Sequence, residues 1–254
     1  MILYQYKGGD GVGSISPPCL KVDLALRKAG AEFEVVNCMP ATARKVSRTG
    51  RLPAVRFDDG VVLDDSIVIL DELERRYPEL GLAPADARER IVDLLWDAFL
   101  NDHVYWYGFW LRWADPKMSP LFADAMFARQ PWWFRKLIVP AVLRRQRARL
   151  RHQGFLGKSP ADVRAMMVRA LDMVVDGVAA GPFLQGRATP GRGDLAAAAM
   201  VVQTGFRGSM PDIETVVRER PALIRHAAAT YRACNASPTR WLAEVAPAAG
   251  GTGS

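Results

Sequence analysis

The sequence has few of the residues that bind metals or form disulfide bonds. It contains only three cysteines and three histidines in 254 residues, and the cysteines, at positions 19, 38 and 234, are far apart. None of them has the paired spacing of a zinc site, so we expect no metal. Isolated cysteines and the lack of a secretory leader predict a reduced, cytoplasmic protein.

Long apolar runs are also missing. The most apolar stretch, residues 96–113, is interrupted by Asp97, Asp102 and Arg112, and we therefore expect no membrane-spanning helix there. The chain is nevertheless 50% hydrophobic, and its length is sufficient for two domains with cores of their own.

The first 79 residues alternate between strand and helix patterns. Strands are predicted at 2–7, 33–37, 54–58 and 61–63, and helices at 17–29, 41–48 and 66–76. Asp59-Gly60 between the last two strands is a typical hairpin turn. This β-α-β-α-β-β-α order is that of a thioredoxin-like domain.

The rest of the chain has a helical pattern. Helices are predicted at 88–113, 120–129, 131–152, 160–180, 194–205 and 222–233. The predicted fold class is therefore α/β plus all-α, with a thioredoxin-like domain at residues 1–79 and a helical bundle at 86–245. The small, glycine-rich residues 246–254 predict a disordered tail.

The start of the first helix has unusual chemistry. Ser16 stands at the N-cap position, and the next two residues are prolines without an N–H, so the first free donors belong to Cys19 and Leu20. The Ser16 hydroxyl can accept from one of them and donate its own proton outward. Because the positive end of a helix favours a thiolate, this start is suited to a sulfur anion; an ordinary helix cap is the alternative.

Cys19 has two possible roles at this position. It is either a thiol of low pKa at the helix start or an inert, packed side chain, and we favour the packed role. Dithiol exchange is disfavoured, because the first position of the Cys-x-x-Cys pattern is Ser16.

Three segments in the first domain carry a family resemblance: SPPCLKV at 16–22, GRLPAV at 50–55 and LDDSIVIL at 63–70. Together they resemble the glutathione S-transferase superfamily and, more narrowly, its failed-axon-connections and metaxin-like branch. PFLQGR at 182–187 and GDLA at 193–196 are similar to the segment that opens the core helix of the all-α domain. The resemblance implies glutathione as co-substrate and a homodimer.

It also implies roles for individual residues. Ser16 matches the catalytic residue that faces the glutathione thiol, and Leu52 and the candidate cis-proline Pro53 match the pair that contacts the cysteinyl part. Asp65 and Ser66 match the pair that holds the γ-glutamyl end. The physical chemistry agrees: Ser66 is expected to cap the following helix, whose N–H groups suit a carboxylate, while Asp65 suits an ammonium group.

The sequence departs from the family pattern in two places. The glycine-rich loop at residues 8–15 is longer than in transferases with a short first turn, so Ser14 competes with Ser16 for the thiol-facing role. In the second domain Gly191 stands where a capping serine or threonine is usual, three residues before Asp194, which weakens the capping box.

An aromatic run on the first long helix of the second domain is a candidate pocket for a second substrate. In the transferase architecture this helix faces the active-site cleft. Adjacent side chains on a helix point in different directions, so we expect only two or three rings to reach the cleft, with Tyr105, Trp106 and Phe109 as candidates.

The formal net charge is +7, and much of the excess lies in residues 129–151 beside two tryptophans. The favoured interpretation is a solvated helix face. Peripheral contact of the segment from Trp132 to Arg151 with an anionic membrane is the alternative, and no nucleic acid is expected.

Two functions remain open. In the first, the protein is a glutathione transferase that lowers the pKa of the bound thiol and transfers it to an apolar electrophile. In the second, it is a non-catalytic binding or targeting module of the metaxin-like kind. We favour the enzyme.

Overall fold

A computed structural model describes residues 1–8, 13–39, 42–206 and 208–249. The chain begins with a four-stranded sheet of order β2-β1-β3-β4, formed by β1 (Ile2–Tyr6), β2 (Glu34–Cys38), β3 (Ala54–Arg56) and β4 (Val62–Asp64). β1 is parallel to β2 and antiparallel to β3, and β3 and β4 form the predicted hairpin. The thioredoxin-like topology is confirmed.

Two α-helices flank these strands, α1 (Pro17–Lys28) and α2 (Ser66–Arg76). The helix predicted at 41–48 is reduced to one 3₁₀ turn, Ala43–Lys45, and residues 40–41 lie outside the described part. Asp64 explains where the turn ends. Its carboxylate accepts from the Ser47 hydroxyl at 2.9 Å and the Thr49 N–H at 2.8 Å, which holds these residues in a loop.

The described residues from 87 onward form the predicted helical domain. Its elements are α3 (Ala87–Phe99), a π-helical segment (Leu100–Val104), α4 (Tyr105–Trp113), α5 (Met118–Phe127), α6 (Trp132–His152), α7 (Pro160–Gly177), α8 (Arg192–Thr204), α9 (Pro211–Arg218), α10 (Pro221–Ala233) and α11 (Arg240–Ala249). None of the described helices is long and apolar enough to cross a membrane.

Two helices, α9 and α11, are absent from the sequence prediction. α11 extends through residue 249, so the prediction of a disordered tail is wrong for residues 246–249; residues 250–254 lie outside the described part. The reason is packing, because Trp241, Leu242 and Val245 are buried and hold the helix against the core.

The helix predicted at 88–113 is interrupted by the π-helical segment. Asn101 donates its side-chain amide to the Asp97 carbonyl at 2.8 Å, the acceptor that a regular α-helix would give to the Asn101 backbone. Local π geometry shifts the direction of the side chains that follow.

α8 joins the two parts of the molecule. It is buried along nearly its whole length and packs against α1, α3 and α10. Its four consecutive alanines, 196–199, are at most 2% exposed, and such small side chains let neighbouring helices approach closely. One continuous hydrophobic core therefore runs from α1 into the helical domain.

Candidate functional site

The register of the sheet brings three sequence segments to one end. Ala54 pairs with Tyr4 on one side and with Asp64 on the other. Residues just before Ala54 and just after Asp64 therefore lie at the same edge, which is also where β1 ends. The Leu52–Pro53 peptide bond is cis, as the family resemblance implies, and both residues are buried.

Asp64 fixes the approach to this edge. Besides its bonds to Ser47 and Thr49, it lies 3.5 Å from the guanidinium of Arg48. Burial acts to raise its pKa, but these hydrogen bonds and the cation outweigh burial, and the pKa is lowered. The carboxylate is thus a structural group that positions the loop before Leu52.

Asp65, and not Ser66, caps α2. The Asp65 carboxylate accepts from the Ile67 N–H at 2.9 Å, while Ser66 is the first helical residue and is 7% exposed. The prediction of a Ser66 cap is therefore wrong by one residue. Asp65 has φ +86°, a conformation that side-chain-bearing residues rarely adopt, and this turns its carboxylate over the helix start.

Residues 13–15, just before α1, are held from three sides. Each of their carbonyl groups accepts a side-chain hydrogen bond: Gly13 from Gln5 at 2.9 Å, Ser14 from Gln203 at 2.6 Å and Ile15 from Arg112 at 3.1 Å. Gln203 and Arg112 belong to the helical domain, so that domain helps to fix the start of α1. Residues 9–12 of the glycine-rich loop lie outside the described part.

The two candidate serines have different surroundings. Ser14 is fully buried, donates its hydroxyl to the Tyr6 carbonyl at 2.7 Å and accepts from the Ser16 N–H at 3.2 Å. Ser16 is half-buried and does not form the expected side-chain capping bond; the Leu20 N–H instead bonds to its backbone carbonyl at 3.1 Å. The Ser16 hydroxyl lies beside the thiol of Cys19 instead.

Cys19 is a packed thiol. It is fully buried, and burial raises its pKa to about 11, although hydrogen bonds involving the Ser16 hydroxyl, the Tyr6 backbone and the Ser14 hydroxyl act to lower it. A thiol with this pKa is almost entirely protonated at neutral pH, so Cys19 is not a nucleophile in the folded protein.

Three candidate rings form one cluster. Tyr105 and Trp106 meet edge to face with centroids 5.4 Å apart, and Phe109 lies 5.7 Å and 5.4 Å from them. Tyr105 and Trp106 are half-buried, whereas Phe109 is 4% exposed and forms the floor. The guanidinium of Arg149 lies over the Phe109 ring at 4.7 Å, a cation–π contact at the edge of the cluster.

Tyr6 connects this cluster with the sheet edge. Burial raises the pKa of Tyr6, and the nearby Cys19 and Tyr105 raise it further. Arg149 and a hydrogen bond with the Leu52 backbone act to lower it. Its phenol therefore lies among Cys19, Leu52 and the aromatic cluster. Arg149 adds a buried Nε atom that has no hydrogen-bond partner within the described residues. The arrangement can hold an apolar group against rings, with one cation beside it.

Sequence reasoning missed several of these residues. Tyr6, Arg149, Gln203 and Arg112 were not candidates, because each needs a partner distant in sequence. A signal exists for two of them: Arg112 and Gln203 are polar residues within apolar helical segments, and such residues are buried only with partners. The described residues contain no cluster suited to a metal ion.

Two surface depressions lie elsewhere. One, of about 460 Å³, is lined by residues around Gly30 and Asn235, and the other, of about 500 Å³, by residues around Gly81 and Gly186. Both are open to solvent, and neither includes the sheet edge, Ser16 or the aromatic cluster.

The first domain is similar in sequence to known proteins. Residues 17–118 match the family model of the glutathione S-transferase N-terminal domain. Failed axon connections from Drosophila melanogaster is 33% identical over 110 residues, which cover 43% of this chain and 25% of that protein. The isoprene-epoxide–glutathione S-transferase of Rhodococcus sp. (strain AD45) is 30% identical over 114 residues, which cover 44% and 48%. The chain thus matches at most about half the length of these relatives.

Solved structures extend the likeness to the whole chain. The β-etherase LigF from Sphingobium sp. strain SYK-6 superposes with a TM-score of 0.62 at 20% identity, over 96% of this chain and 97% of that one. A glutathione S-transferase from Methylobacterium radiotolerans, in complex with glutathione sulfonate, gives 0.59 at 17% identity, over 96% and 93%. The first domain thus matches the glutathione S-transferase N-terminal domain over residues 17–118, and the whole chain shares the fold of these transferase structures.

Proposed function

We propose that the protein is a cytoplasmic, homodimeric glutathione transferase. Residues 1–79 bind glutathione, and residues 86–245 supply the pocket for an apolar electrophile. The observation that carries the proposal is the convergence of Ser16, Leu52 and Asp65 at one end of the sheet. The glutathione sulfonate bound in the Methylobacterium structure and the name of the Rhodococcus relative support it.

Each residue has a role set by its chemistry. Leu52 offers its backbone to the cysteinyl part of glutathione, next to Pro53. Asp65 carries a negative charge for the γ-glutamyl ammonium, and the first N–H groups of α2, beginning at Ser66, suit the carboxylate. Because Asp65 uses one carboxylate oxygen to cap α2, its second oxygen is the one offered to the ligand.

Ser16 is the proposed catalytic residue. Its hydroxyl donates to the glutathione sulfur and favours the thiolate over the thiol, together with the positive end of α1. The thiol proton leaves to water; the sulfur then forms a bond to the electrophilic carbon, whose leaving group departs with the electron pair. Tyr105, Trp106 and Phe109 hold the apolar part of the electrophile.

A second candidate function is a non-catalytic binding or targeting module, as in the metaxin-like branch. It is favoured by the exposed tryptophans and cations of α6, which a cytosolic transferase does not need. The two functions differ in one measurable respect, because a module without turnover has no need of a thiolate.

Glutathione binding is the first measurement. We expect isothermal titration calorimetry to give a dissociation constant between micromolar and low millimolar, with S-hexylglutathione as a competitor. Asp65→Asn keeps an acceptor for the helix cap but removes the charge, and we expect affinity to fall about tenfold.

Asp86→Asn is the matched control for Asp65→Asn. Asp86 caps α3 by accepting from the Arg88 and Glu89 N–H groups, both at 2.9 Å, and lies outside the proposed site. The glutathione affinity of Asp86→Asn should equal that of the parent protein. No binding by the parent protein would reject the transferase, and equal affinity for Asp65→Asn would reject the γ-glutamyl role of Asp65.

A further inference from the structure

One segment carries the positive charge of the whole molecule. Between Asp124 and Asp162 the sequence has nine lysines and arginines and no acidic residue, so this segment alone exceeds the formal charge of +7 of the chain. The other residues together are slightly acidic. The proposed transferase chemistry does not require such a concentration of charge.

The N-terminal half of α6, within this segment, is also unusually apolar at its surface. Trp132 is 75% exposed, Trp133 49%, Leu137 66% and Ile138 39%. Large apolar side chains exposed next to one another on a soluble protein mark an interaction site.

The two halves of α6 differ in how they are held. Towards the C-terminal end, Arg147 donates to the Trp113 carbonyl at 3.2 Å, Arg149 lies over the Phe109 ring and Leu150 is fully buried. In the N-terminal half, the Phe134 ring lies 6.0 Å from that of Phe127, and Val142 at the end of this half packs against the core. α6 is therefore anchored in the domain at one end and exposed at the other.

The cations near the exposed half are mostly not neutralised. Arg135 pairs with Asp124 at 2.5 Å, but Lys136, Arg144 and Arg145 form no ion pair within the described residues. One face of α6 presents two apolar side chains and then a cation. These are Trp133, Leu137 and Arg144, which are separated by the helical spacings of four and seven residues.

We propose that the exposed half of α6 is a docking site for the surface of an anionic phospholipid bilayer. Trp132, Trp133 and Leu137 enter the interface between headgroups and acyl chains, where tryptophan is favoured. Lys136, Arg144 and Arg145 lie against the anionic headgroups, whose potential attracts clustered cations. The helix does not cross the bilayer.

The cations and the exposed apolar side chains of α6 together favour a lipid surface over other binding partners. A second copy of the chain would bring an equally basic segment against the first, and the two would repel each other. Nucleic acid or an acidic protein would use the cations but would leave the aliphatic side chains of Leu137 and Ile138 in water. A lipid interface satisfies both the cations and the apolar side chains.

The test uses the full chain and vesicles. We expect co-sedimentation with vesicles of phosphatidylcholine containing about a third phosphatidylserine, at least tenfold stronger than with phosphatidylcholine alone. Lipids brominated in the acyl chain should quench the tryptophan fluorescence of the bound protein. Trp132→Ser/Trp133→Ser should abolish the quenching and reduce binding several-fold.

The charge variant Lys136→Gln/Arg144→Gln/Arg145→Gln should bind the anionic vesicles at least tenfold more weakly than the parent protein. Its matched control is Arg44→Gln/Arg56→Gln/Arg88→Gln, which removes the same charge from exposed positions in other elements and should bind nearly normally. Circular dichroism confirms that each variant is folded.

Three results would overturn the proposal. They are equal binding by both charge variants, no quenching in the parent protein, and binding to an RNA homopolymer or a polyglutamate peptide without binding to vesicles. Because glutathione affinity is measured separately, failure of the lipid site leaves the transferase proposal standing, and the reverse also holds.

Discussion

At the scale of single residues, the dipeptide Ser-Pro begins two helices, and the serine has different hydrogen bonds in each. Ser16-Pro17 begins α1 and Ser159-Pro160 begins α7. The Ser159 hydroxyl caps its helix, accepting from the Asp162 N–H at 3.1 Å, whereas the Ser16 hydroxyl makes no capping bond. A serine at a helix start that does not cap the helix is a candidate for function, and its counterpart is an internal control.

We expect the two serines to respond in opposite ways to substitution. Ser16→Ala should raise the pKa of bound glutathione and lower turnover about tenfold or more, with little change in glutathione affinity or stability. Ser159→Ala should cost about 1 kcal/mol of stability, because a cap is lost, and leave turnover unchanged. The measurements are the pH profile of turnover, thiolate absorbance in the complex and urea unfolding. Unchanged turnover for Ser16→Ala at every pH would move the role elsewhere.

The residues of the sheet edge show what a sequence can and cannot reveal at this scale. The position of Ser16 at the start of α1 is a local feature and was predictable, and the cis bond before Pro53 was expected from the family resemblance. The choice of Asp65 over Ser66 as the cap was not, because it depends on the positive φ of Asp65. The contacts of Tyr6 and Arg149 join distant segments and have no local signature.

At the scale of elements, the start of α8 explains why Gly191 replaces a capping residue. A Cβ at Gly191 would lie 2.3 Å from an oxygen of Asp93 on α3. That carboxylate accepts from the N–H groups of Arg192 at 3.1 Å and Gly193 at 3.4 Å, while Asp194 accepts from Gly191 at 2.8 Å. Asp93 thus takes the place of a local cap and ties α3 to α8.

Asp93 should make stability depend on pH in an unusual direction. Burial raises its pKa to about 6, despite Arg187 and the two N–H groups, which act to lower it. Since the pKa of an unfolded aspartate is about 3.9, the folded state binds the proton more tightly. Its contribution to stability is present in full below about pH 4 and falls, by on the order of 2 kcal/mol, as the pH rises past about 6.

Urea unfolding across this pH range tests the prediction. The free energy of unfolding of the parent protein minus that of Asp93→Asn should decrease from about pH 4 to about pH 7, because the amide does not titrate. Asp86→Asn corrects for the loss of a capping carboxylate at an exposed helix start. A difference that increases with pH would mean that Arg187 and the N–H groups outweigh burial.

Most elements could be predicted because their patterns are local. The strands of the first domain and α1, α2 and α8 follow from apolar periodicity and turn residues. The sequence did not reveal the π-helical segment, since it depends on the Asn101 side chain, or α11, since its stability comes from burial of Trp241 against the core. Such elements depend on tertiary contacts.

At the scale of the whole molecule, a buried ion pair connects the two domains. Lys21 on α1 is fully buried, and its Nζ lies 3.0 Å from Asp97 on α3, which also accepts from Asn101 at 2.5 Å. Burial lowers the pKa of Lys21, and Asp97 acts against that effect. The pair carries little net stability, but losing one partner leaves a buried charge without its counterion.

A double-mutant cycle should reveal this coupling. Lys21→Met alone and Asp97→Leu alone should each cost about 3–5 kcal/mol of stability, and the double variant much less than their sum. The half-buried pair of Arg27 and Asp23 on the same helix, 2.9 Å apart, is the control, and Arg27→Met should cost at most about 1 kcal/mol. Additive losses for Lys21 and Asp97 would contradict a coupled pair.

The proposed homodimer is supported by α3, whose aliphatic side chains face solvent while its carboxylates are buried. α3 buries Asp93 and Asp97, at 2% exposed each, and exposes Ile91, Leu94 and Leu95 at 58%, 43% and 62%. An isolated surface helix has the opposite arrangement, with apolar side chains inward. The three aliphatic residues stand at spacings of three and four and share one face, so a second copy of the chain is expected to cover them.

The dimer can be tested by sedimentation velocity at about 50 µM protein, the concentration at which a specific interface of micromolar affinity is largely formed. The parent protein should sediment with twice the monomer mass, and Leu95→Glu should sediment as a folded monomer, because a charge would be buried without a partner. Met173→Glu on α7, where the methionine is 42% exposed, should remain a dimer. A monomeric parent protein would reject the dimer. A dimeric Leu95→Glu would place the interface on another face and leave the apolar face of α3 to be covered by something else.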